Sequence, residues 1–191
     1  MLVKNQEVGR AELDDLTLAR AQRGEEAAWR ALVECYQHAV FALLSRMLSP
    51  FARRDLVEDL AQETFLRAFR ALPMFDRAAP GRLSSWLLTI ATRLALDQLR
   101  QRRPAPDEVH AVHFQAVPAS RPDRRLLSEG LTRAVEGLSP DHRAVVLLRE
   151  VHGLGYDEIA KALAISVGTV KSRLSRARAE LRAALAEDHD G

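Results

Sequence analysis

The sequence predicts an all-α protein of two small helical domains joined by a proline-containing linker, with a helix-turn-helix in the second domain. Apolar residues recur at helical spacing through most of the 191 residues, and no strand-type alternation is sustained. Between Pro104 and Pro122 this periodicity collapses. Because such a segment offers few positions for a continuous core, we expect it to separate two domains.

The expected boundaries give a polar lead-in over residues 1–23, a first domain over 24–104, the linker over 105–123, a second domain over 124–186 and a tail over 187–191. In the first domain, helical periodicity runs from Leu16 to Leu48 with Gly24 at a break, from about Asp55 to Leu72, and from about Ser84 to Arg103. Prolines end the last two helices, because the residue before a proline avoids helical geometry. For the helix that starts near Asp55, the expected core residues are Leu56, Leu60, Phe65, Phe69 and Leu72.

The exposed face of that helix carries an unusual stripe. Asp59, Gln62 and Glu63 lie at i, i+3 and i+4, and Leu66 follows just beyond them. A hydrophobic residue beside acids and an amide can bind a partner helix. Charged helix faces also commonly do no more than face water, and the residues alone leave both interpretations open.

The helix expected from about Ser84 to Arg103 places an aromatic ring and arginines away from its core positions. This combination suits an unpaired nucleic-acid strand, because bases stack on the ring and guanidinium groups contact phosphates. A tryptophan alone is more often a core or helix-contact residue, so Trp86 keeps both interpretations. The residues off the core face are Trp86, Thr89, Arg93 and Arg100.

The second domain is expected to begin with a helix from near Arg124 to Glu136. Ser139-Pro140-Asp141 then predicts a helix start, with serine as cap and proline at the first helical position, and this helix should end at Gly153. A helix from Tyr156 to about Leu163, a turn over residues 164–166 and a helix capped by Ser166 complete a helix-turn-helix.

The last helix has two different faces. Val167, Val170, Leu174, Ala177 and Leu181 form its apolar face. The opposite face is polar and basic, as in a helix that enters a DNA major groove, although a solvated cationic helix would show the same charges. This outer face carries Thr169, Ser172, Arg173 and Arg176, with Lys171 and Arg178 at its flanks.

Composition limits the remaining possibilities. Lys and Arg number 28 against 26 Asp and Glu, so the basic residues matter through clustering, from Arg93 to Arg103 and from Lys171 to Arg182. The single Cys35 excludes an internal disulfide and fits a reducing compartment. His110 and His113 have no ligand cluster around them, so no metal or other cofactor is expected. We find no signal-peptide or membrane-span pattern and expect a cytoplasmic protein.

Five motifs occur in order along the chain, at residues 55–65, 84–91, 97–100, 138–140 and 167–174. Their sequences are DLVEDLAQETF, SSWLLTIA, DQLR, LSP and VGTVKSRL. In this order, over about Gly24 to Leu185, the chain resembles the extracytoplasmic-function (ECF) group of bacterial sigma-70-type sigma factors. The resemblance implies an alternative sigma factor that binds core RNA polymerase and directs transcription initiation, with no catalytic residues of its own.

The resemblance also assigns roles. The Asp59, Gln62, Glu63 and Leu66 stripe would dock on the β′ coiled coil of the polymerase, with the β subunit as a further partner. The helix that carries Trp86, Thr89, Arg93, Asp97 and Arg100 would engage and help open the −10 element. Thr169, Lys171, Ser172, Arg173 and Arg176 would read the −35 element as duplex. An anti-sigma factor would regulate the protein, which would be a monomer outside its complexes.

One residue departs from the family pattern. Members usually carry Asn where this sequence has Arg93, and arginine cannot accept a hydrogen bond as an asparagine carbonyl does. Either the −10 preference is altered or Arg93 contacts a phosphate. The main alternative to a sigma factor is a stand-alone helix-turn-helix regulator that binds paired half-sites as a dimer. A small enzyme has no support, because the sequence shows no nucleophile and base pair, phosphate-binding loop or metal set.

Overall fold

The computed structural model describes residues 12–49, 54–76, 82–101 and 129–187, and these residues form helices and connecting turns without a strand. The all-α prediction is therefore confirmed for the described part of the chain. No helix there is long and apolar enough to cross a membrane. The helices are α1 (Asp15–Gln22), α2 (Glu26–Leu48), α3 (Arg54–Ala71), α4 (Leu83–Gln101), α5 (Glu129–Gly137), α6 (Pro140–Val146), α7 (Tyr156–Leu163) and α8 (Val167–Glu187).

Side-chain caps begin several of these helices. The Ser139 hydroxyl accepts the backbone N–H of His142 at 3.3 Å, which confirms the predicted start of α6. The predicted helix from Ser139 to Gly153 changes geometry on the way, because Leu147–Val151 forms a π-helical turn. Gly153 then follows with a backbone φ of 68°, which residues other than glycine rarely adopt.

Helices α1 to α4 pack around a core in which Leu32, Leu43 and Leu87 are fully buried. Of the core residues predicted for α3, Leu72 is buried, and Leu56, Leu60 and Phe65 are partly buried and pack against the core. The most deeply buried stripe of α3 itself lies beside them. It consists of small or short side chains, which allow close approach to α2 and α4. These are Val57, Ala61, Thr64 and Ala68.

The prediction that Phe69 lies in the core is wrong. Its side chain is 48% exposed, and the ring meets Trp29 edge-on with the centroids 5.1 Å apart. Phe69 follows the buried Ala68 directly, and successive side chains on a helix point in directions about 100° apart. A buried stripe through Ala68 therefore leaves Phe69 at its edge.

The segment before α2 is held on this first set of helices. Glu12 accepts hydrogen bonds from the Tyr36 hydroxyl at 2.8 Å and from the Ser84 hydroxyl at 2.6 Å, so it joins α2 to the start of α4. Gln22 donates its side-chain N–H groups to the carbonyls of Leu72 and Phe75. Leu18 and Ala21 of α1 are buried in the same core cluster as Leu32.

Helices α5 to α8 pack against the first set instead of standing apart from it. Helix α4 lies on α7, and α2 lies on α6. One apolar cluster includes Leu44 and Ala95 from the first set and Val145 and Ile159 from the second. The linker lies outside the described residues, and the domain boundaries and separate folding of the two domains stay predictions.

A buried arginine joins these parts. Arg143 of α6 is 2% exposed, and its guanidinium donates to five backbone carbonyls. Met47 and Ser49 supply two of them at the end of α2, and the others lie at the α5–α6 connection on Val135, Glu136 and Leu138. An arginine side chain has five N–H donors, so this environment matches its full capacity. Burial lowers the pKa of Arg143 from its usual value.

We expect Arg143→Leu to lower the free energy of unfolding by about 3–4 kcal/mol, because it leaves a group of buried carbonyls without a donor. Urea denaturation followed by circular dichroism measures this loss. Arg30→Leu is the control, because Arg30 is exposed and pairs with Glu26 on its own helix. Equal unfolding midpoints for the two variants would contradict the assignment of Arg143 as a structural anchor.

Candidate functional site

The helix-turn-helix consists of α7, a short turn and α8, as predicted. Ala164 ends α7 in the left-handed conformation, with φ of 53° and ψ of 45°, and the Ile165 N–H donates to the Ala160 carbonyl at 3.0 Å. The Ser166 hydroxyl accepts the Thr169 N–H at 3.1 Å and so caps α8. The predicted cap and turn are confirmed by this geometry.

Helix α8 buries one face and exposes the other. Val170 and Ala177 are fully buried and Leu174 nearly so, which matches the apolar face expected from the sequence. On the outer face, Lys171, Ser172 and Arg176 are exposed and Thr169 is half-exposed. The Ser172 hydroxyl donates to the Thr169 carbonyl at 3.0 Å. The polar side chains thus face away from the core that holds the helix in place.

Two arginines of α8 are held by acids of α6 and of the π-helical turn that follows it. Arg173 pairs with Asp141 in the first turn of α6, at 2.8 Å, and its side chain is 25% exposed. Arg178 donates to Glu150 at 2.5 and 3.2 Å, and this carboxylate raises the pKa of Arg178. Both residues therefore contact α6 or its π-helical turn, whereas Arg173 was expected on the free outer face.

Arg149 and Tyr156 lie beside Lys171 and were not predicted as site residues. The Arg149 guanidinium lies 4.9 Å from the centroid of the Tyr156 ring, and the Lys171 ammonium lies 6.0 Å from the same centroid. Arg149 also donates to the Leu154 carbonyl at 2.9 Å. Arg149 lies in the π-helical turn, which the sequence did not predict, and it shares the Tyr156 ring with Lys171.

The predicted site residues of α4 are in different environments. The half-buried Trp86 ring packs on Phe75 with centroids 5.1 Å apart, and the Thr89 hydroxyl donates to the Ser85 carbonyl at 2.8 Å. Asp97 and Arg100 are exposed and approach each other at 3.4 Å. The structure brings Trp86 into a structural contact and leaves Asp97 and Arg100 at the surface.

Arg93 of α4 forms hydrogen bonds with the second set of helices, α5 to α8. Its Nε donates to the Ala162 carbonyl at 2.8 Å, and its Nη2 donates to the Lys161 carbonyl at 2.9 Å. Both carbonyls belong to the last turn of α7, the first helix of the helix-turn-helix. Arg93 is exposed, as the sequence predicted, but no periodicity within α4 could indicate these distant acceptors.

The acidic stripe of α3 lies on its outer surface. Asp59 and Gln62 are exposed, and Leu66 is 51% exposed among them. Glu63 pairs with Arg67 one turn later at 2.7 Å. Because the buried side of α3 is opposite, these side chains contribute little to the core.

Three further residues were noted in the sequence, the histidines of the linker and the single cysteine. His110 and His113 lie outside the described residues. Cys35 is half-buried in α2, and burial raises the pKa of its thiol. The reactive thiolate form of Cys35 is therefore disfavoured.

Comparison with known proteins identifies the chain. Residues 32–104 match the family model for sigma-70 region 2, and residues 128–181 match the model for sigma-70, region 4. The ECF RNA polymerase sigma-E factors of Escherichia coli strain K12 and Salmonella typhi are each 37% identical over 178 residues, covering 86% of this chain and 90% of theirs. The chain belongs to the ECF group of sigma factors. It is an alternative sigma factor that directs transcription, in place of the stand-alone regulator considered above.

Solved structures agree with this family. The sigma factor is similar to CnrH in a complex with the cytosolic domain of CnrY, with 28% identity and a TM-score of 0.65 over 93% of this chain and 99% of that one. It is also similar to RpoE in a complex with the anti-sigma factor NepR from Bartonella quintana. That match has 27% identity and a TM-score of 0.59 over 77% of this chain and 92% of RpoE.

We expect Ala164→Gly to stabilise the sigma factor by about 0.5–1 kcal/mol, because glycine removes the steric cost of a left-handed residue at the end of α7. Ala164 is exposed, so little packing is lost. The unfolding midpoint in urea measures the effect. Ala183→Gly, at an exposed position inside α8, should be destabilising, and a lower midpoint for Ala164→Gly as well would contradict the turn geometry.

Proposed function

We propose that this sigma factor recognises two promoter elements with two helices. Helix α8 reads the −35 element as duplex in the major groove, and α4 engages the −10 element as an opened strand. The observation that carries the proposal is the division of α8 into a buried apolar face and an exposed face of short polar and cationic side chains. Short side chains allow close approach to DNA, and arginine and lysine reach base edges or phosphates.

On α8, the proposed −35 contacts are Thr169, Lys171, Ser172, Arg173 and Arg176. Arg176 is exposed and ready for a phosphate or a guanine. Arg173 reaches DNA after it leaves Asp141, an exchange that costs little because partly exposed ion pairs contribute about 0–1 kcal/mol. Arg149, which lies over the Tyr156 ring, adds a second cation beside Lys171. We assign Arg149 to contact with the DNA backbone.

On α4, the proposed −10 contacts are Trp86, Thr89, Arg93, Asp97 and Arg100. Asp97 and Arg100 are accessible in this structure. Arg93 is held at the end of α7, so contact with promoter DNA requires its release. The Trp86 ring is half-buried and packs on Phe75, so part of its surface is covered in this structure.

For core RNA polymerase, we assign the stripe of Asp59, Gln62, Glu63 and Leu66. An exposed leucine among acids and an amide presents an apolar contact with a negative rim, which suits a basic partner surface. The chain carries no catalytic residues in this proposal, because the polymerase performs the chemistry. It acts as a monomer in the cytoplasm until it binds the polymerase or an anti-sigma factor, the class of inhibitor in the RpoE–NepR complex.

Replacing both Asp59 and Gln62 with Arg should weaken binding to core polymerase by at least about tenfold, because like charges across an interface cost several kcal/mol. Affinity for core polymerase and the melting temperature of the free protein are the two measurements. Glu34→Arg with His38→Arg is the matched control, since both residues are exposed on α2 and the charge change is similar. Parent-like affinity in the α3 double variant would remove this surface from the proposal.

Arg176→Ala should weaken −35 binding, and Arg173→Ala should cost about 1–3 kcal/mol on the preferred sequence and relax discrimination at one base pair if Arg173 contacts a guanine. A phosphate contact would act uniformly across sequences and reduce the salt slope by about one. The assay uses holoenzyme on a series of −35 substitutions at two salt concentrations.

Two controls separate reading from folding. Asp141→Asn removes the ion pair but leaves Arg173, so it should retain the −35 preference. Arg182→Ala removes another exposed arginine further along α8 and should have a smaller effect. Unchanged −35 preference after loss of both Arg173 and Arg176 would overturn the assignment of α8.

A further inference from the structure

The contact between α4 and α7 joins the helix assigned to the −10 element to the helix-turn-helix assigned to the −35 element. It has polar links near both ends of α7. At the start of α7, the Ser85 hydroxyl donates to Glu158 at 2.6 Å. At the end of α7, Arg93 donates to the carbonyls of Lys161 and Ala162. Ser85 and Arg93 are about two helical turns apart on α4, so the two links hold α7 along that length.

The chemistry of the Arg93 link is favourable. The last carbonyls of a helix lack partners within the helix and carry partial negative charge, so a cation is stabilised there. A guanidinium presents its donors as a planar fork and therefore satisfies two neighbouring carbonyls at once. A shorter side chain such as asparagine could not span the same gap and brings no charge.

An apolar contact supports the polar links. Leu88, Ala91 and Ala95 of α4 are buried in the same cluster as Ile159 and Ala162 of α7. Small side chains on both helices allow them to approach closely. Glu158 also accepts the Gly155 N–H at 2.7 Å, so the carboxylate that binds Ser85 caps α7 as well.

We propose that Arg93 is an intramolecular latch, which holds the free sigma factor closed by binding the end of α7 and must be released before α4 engages promoter DNA. This inference rests on the proposed function of α4. In the closed state, the guanidinium that α4 would offer to DNA is occupied by backbone carbonyls of the helix-turn-helix. Release frees Arg93 for a phosphate and separates the two DNA-reading helices in one step.

The latch can be tested with a reporter of the closed state in the full-length chain. Ser85→Cys and Glu158→Cys place two thiols where side chains now touch, and Cys35→Ser removes the native thiol. A short, reducible bis-methanethiosulfonate reagent then joins the two thiols only when the chain is closed. In this background, Arg93→Ala should slow crosslinking about tenfold, since it removes two charge-assisted hydrogen bonds.

Two comparisons make the crosslinking result specific. Arg93→Lys keeps the charge without the fork and should give an intermediate rate. Arg30→Ala removes an exposed arginine that pairs within α2 and should leave the rate unchanged. A parent-like rate for Arg93→Ala, with circular dichroism showing intact helices, would overturn the latch.

The second measurement asks whether the closed state is inhibitory. The crosslinked protein is combined with core polymerase on sheared genomic DNA, and transcript yield is compared before and after addition of reductant. We expect no sigma-dependent transcripts until the crosslink is reduced, whereas each single-cysteine variant treated with the same reagent stays active. Equal yields before and after reduction would overturn the inhibitory role.

These two measurements distinguish the inference from the proposed function. If the reduced protein and the untreated parent both fail to direct transcription, the proposed function is wrong, while the crosslinking rates still decide whether Arg93 closes the chain. If transcription is normal and Arg93→Ala crosslinks like the parent, the latch alone is wrong.

Discussion

The junction between the two sets of helices depends on a buried cation. Arg143 gathers backbone carbonyls from the end of α2 and from the connection between α5 and α6, so its guanidinium sets where three helices meet. Helix α8 packs on α6, and the helix-turn-helix therefore takes its position from this junction. A hydrophobic residue could fill the same volume but could not satisfy the carbonyls. An arginine in a buried position is unusual, and here it is explained by a matched set of acceptors.

Helix α8, which we propose to face DNA, combines rigidity with available side chains. Its start is defined by the Ser166 cap, and its inner face is held by fully buried Val170 and Ala177. Asp141 of α6 and Glu150 of the π-helical turn pair with two of its arginines. These ion pairs fix the positions of long side chains and remain partly exposed. Under the proposed function, we expect that DNA phosphates can replace the carboxylates without disruption of the core.

Local chemistry explains what could be predicted from the sequence. The starts of α6 and α8 follow from serine caps, and the buried face of α8 follows from its periodicity, because both depend on neighbours within a few residues. The burial of Arg143 and the reach of Arg93 depend on acceptors far away in the chain, which no local pattern contains. Phe69 shows a different limit, because small residues such as Ala61 and Ala68 decided which side of α3 could pack closely.

The hydrogen bonds of the Glu12 carboxylate affect where the chain can be cut into a stable fragment. The match to sigma-70 region 2 begins at residue 32, yet Glu12 bridges the hydroxyls of Tyr36 and Ser84, and Leu18 completes the core around Leu32. A fragment cut at the limits of the family match would keep the hydroxyls and lose their shared acceptor. The region that the family model matches is thus smaller than the set of residues that packs around this core. Truncations and domain exchanges are better placed before Glu12 than at the edge of the homologous region.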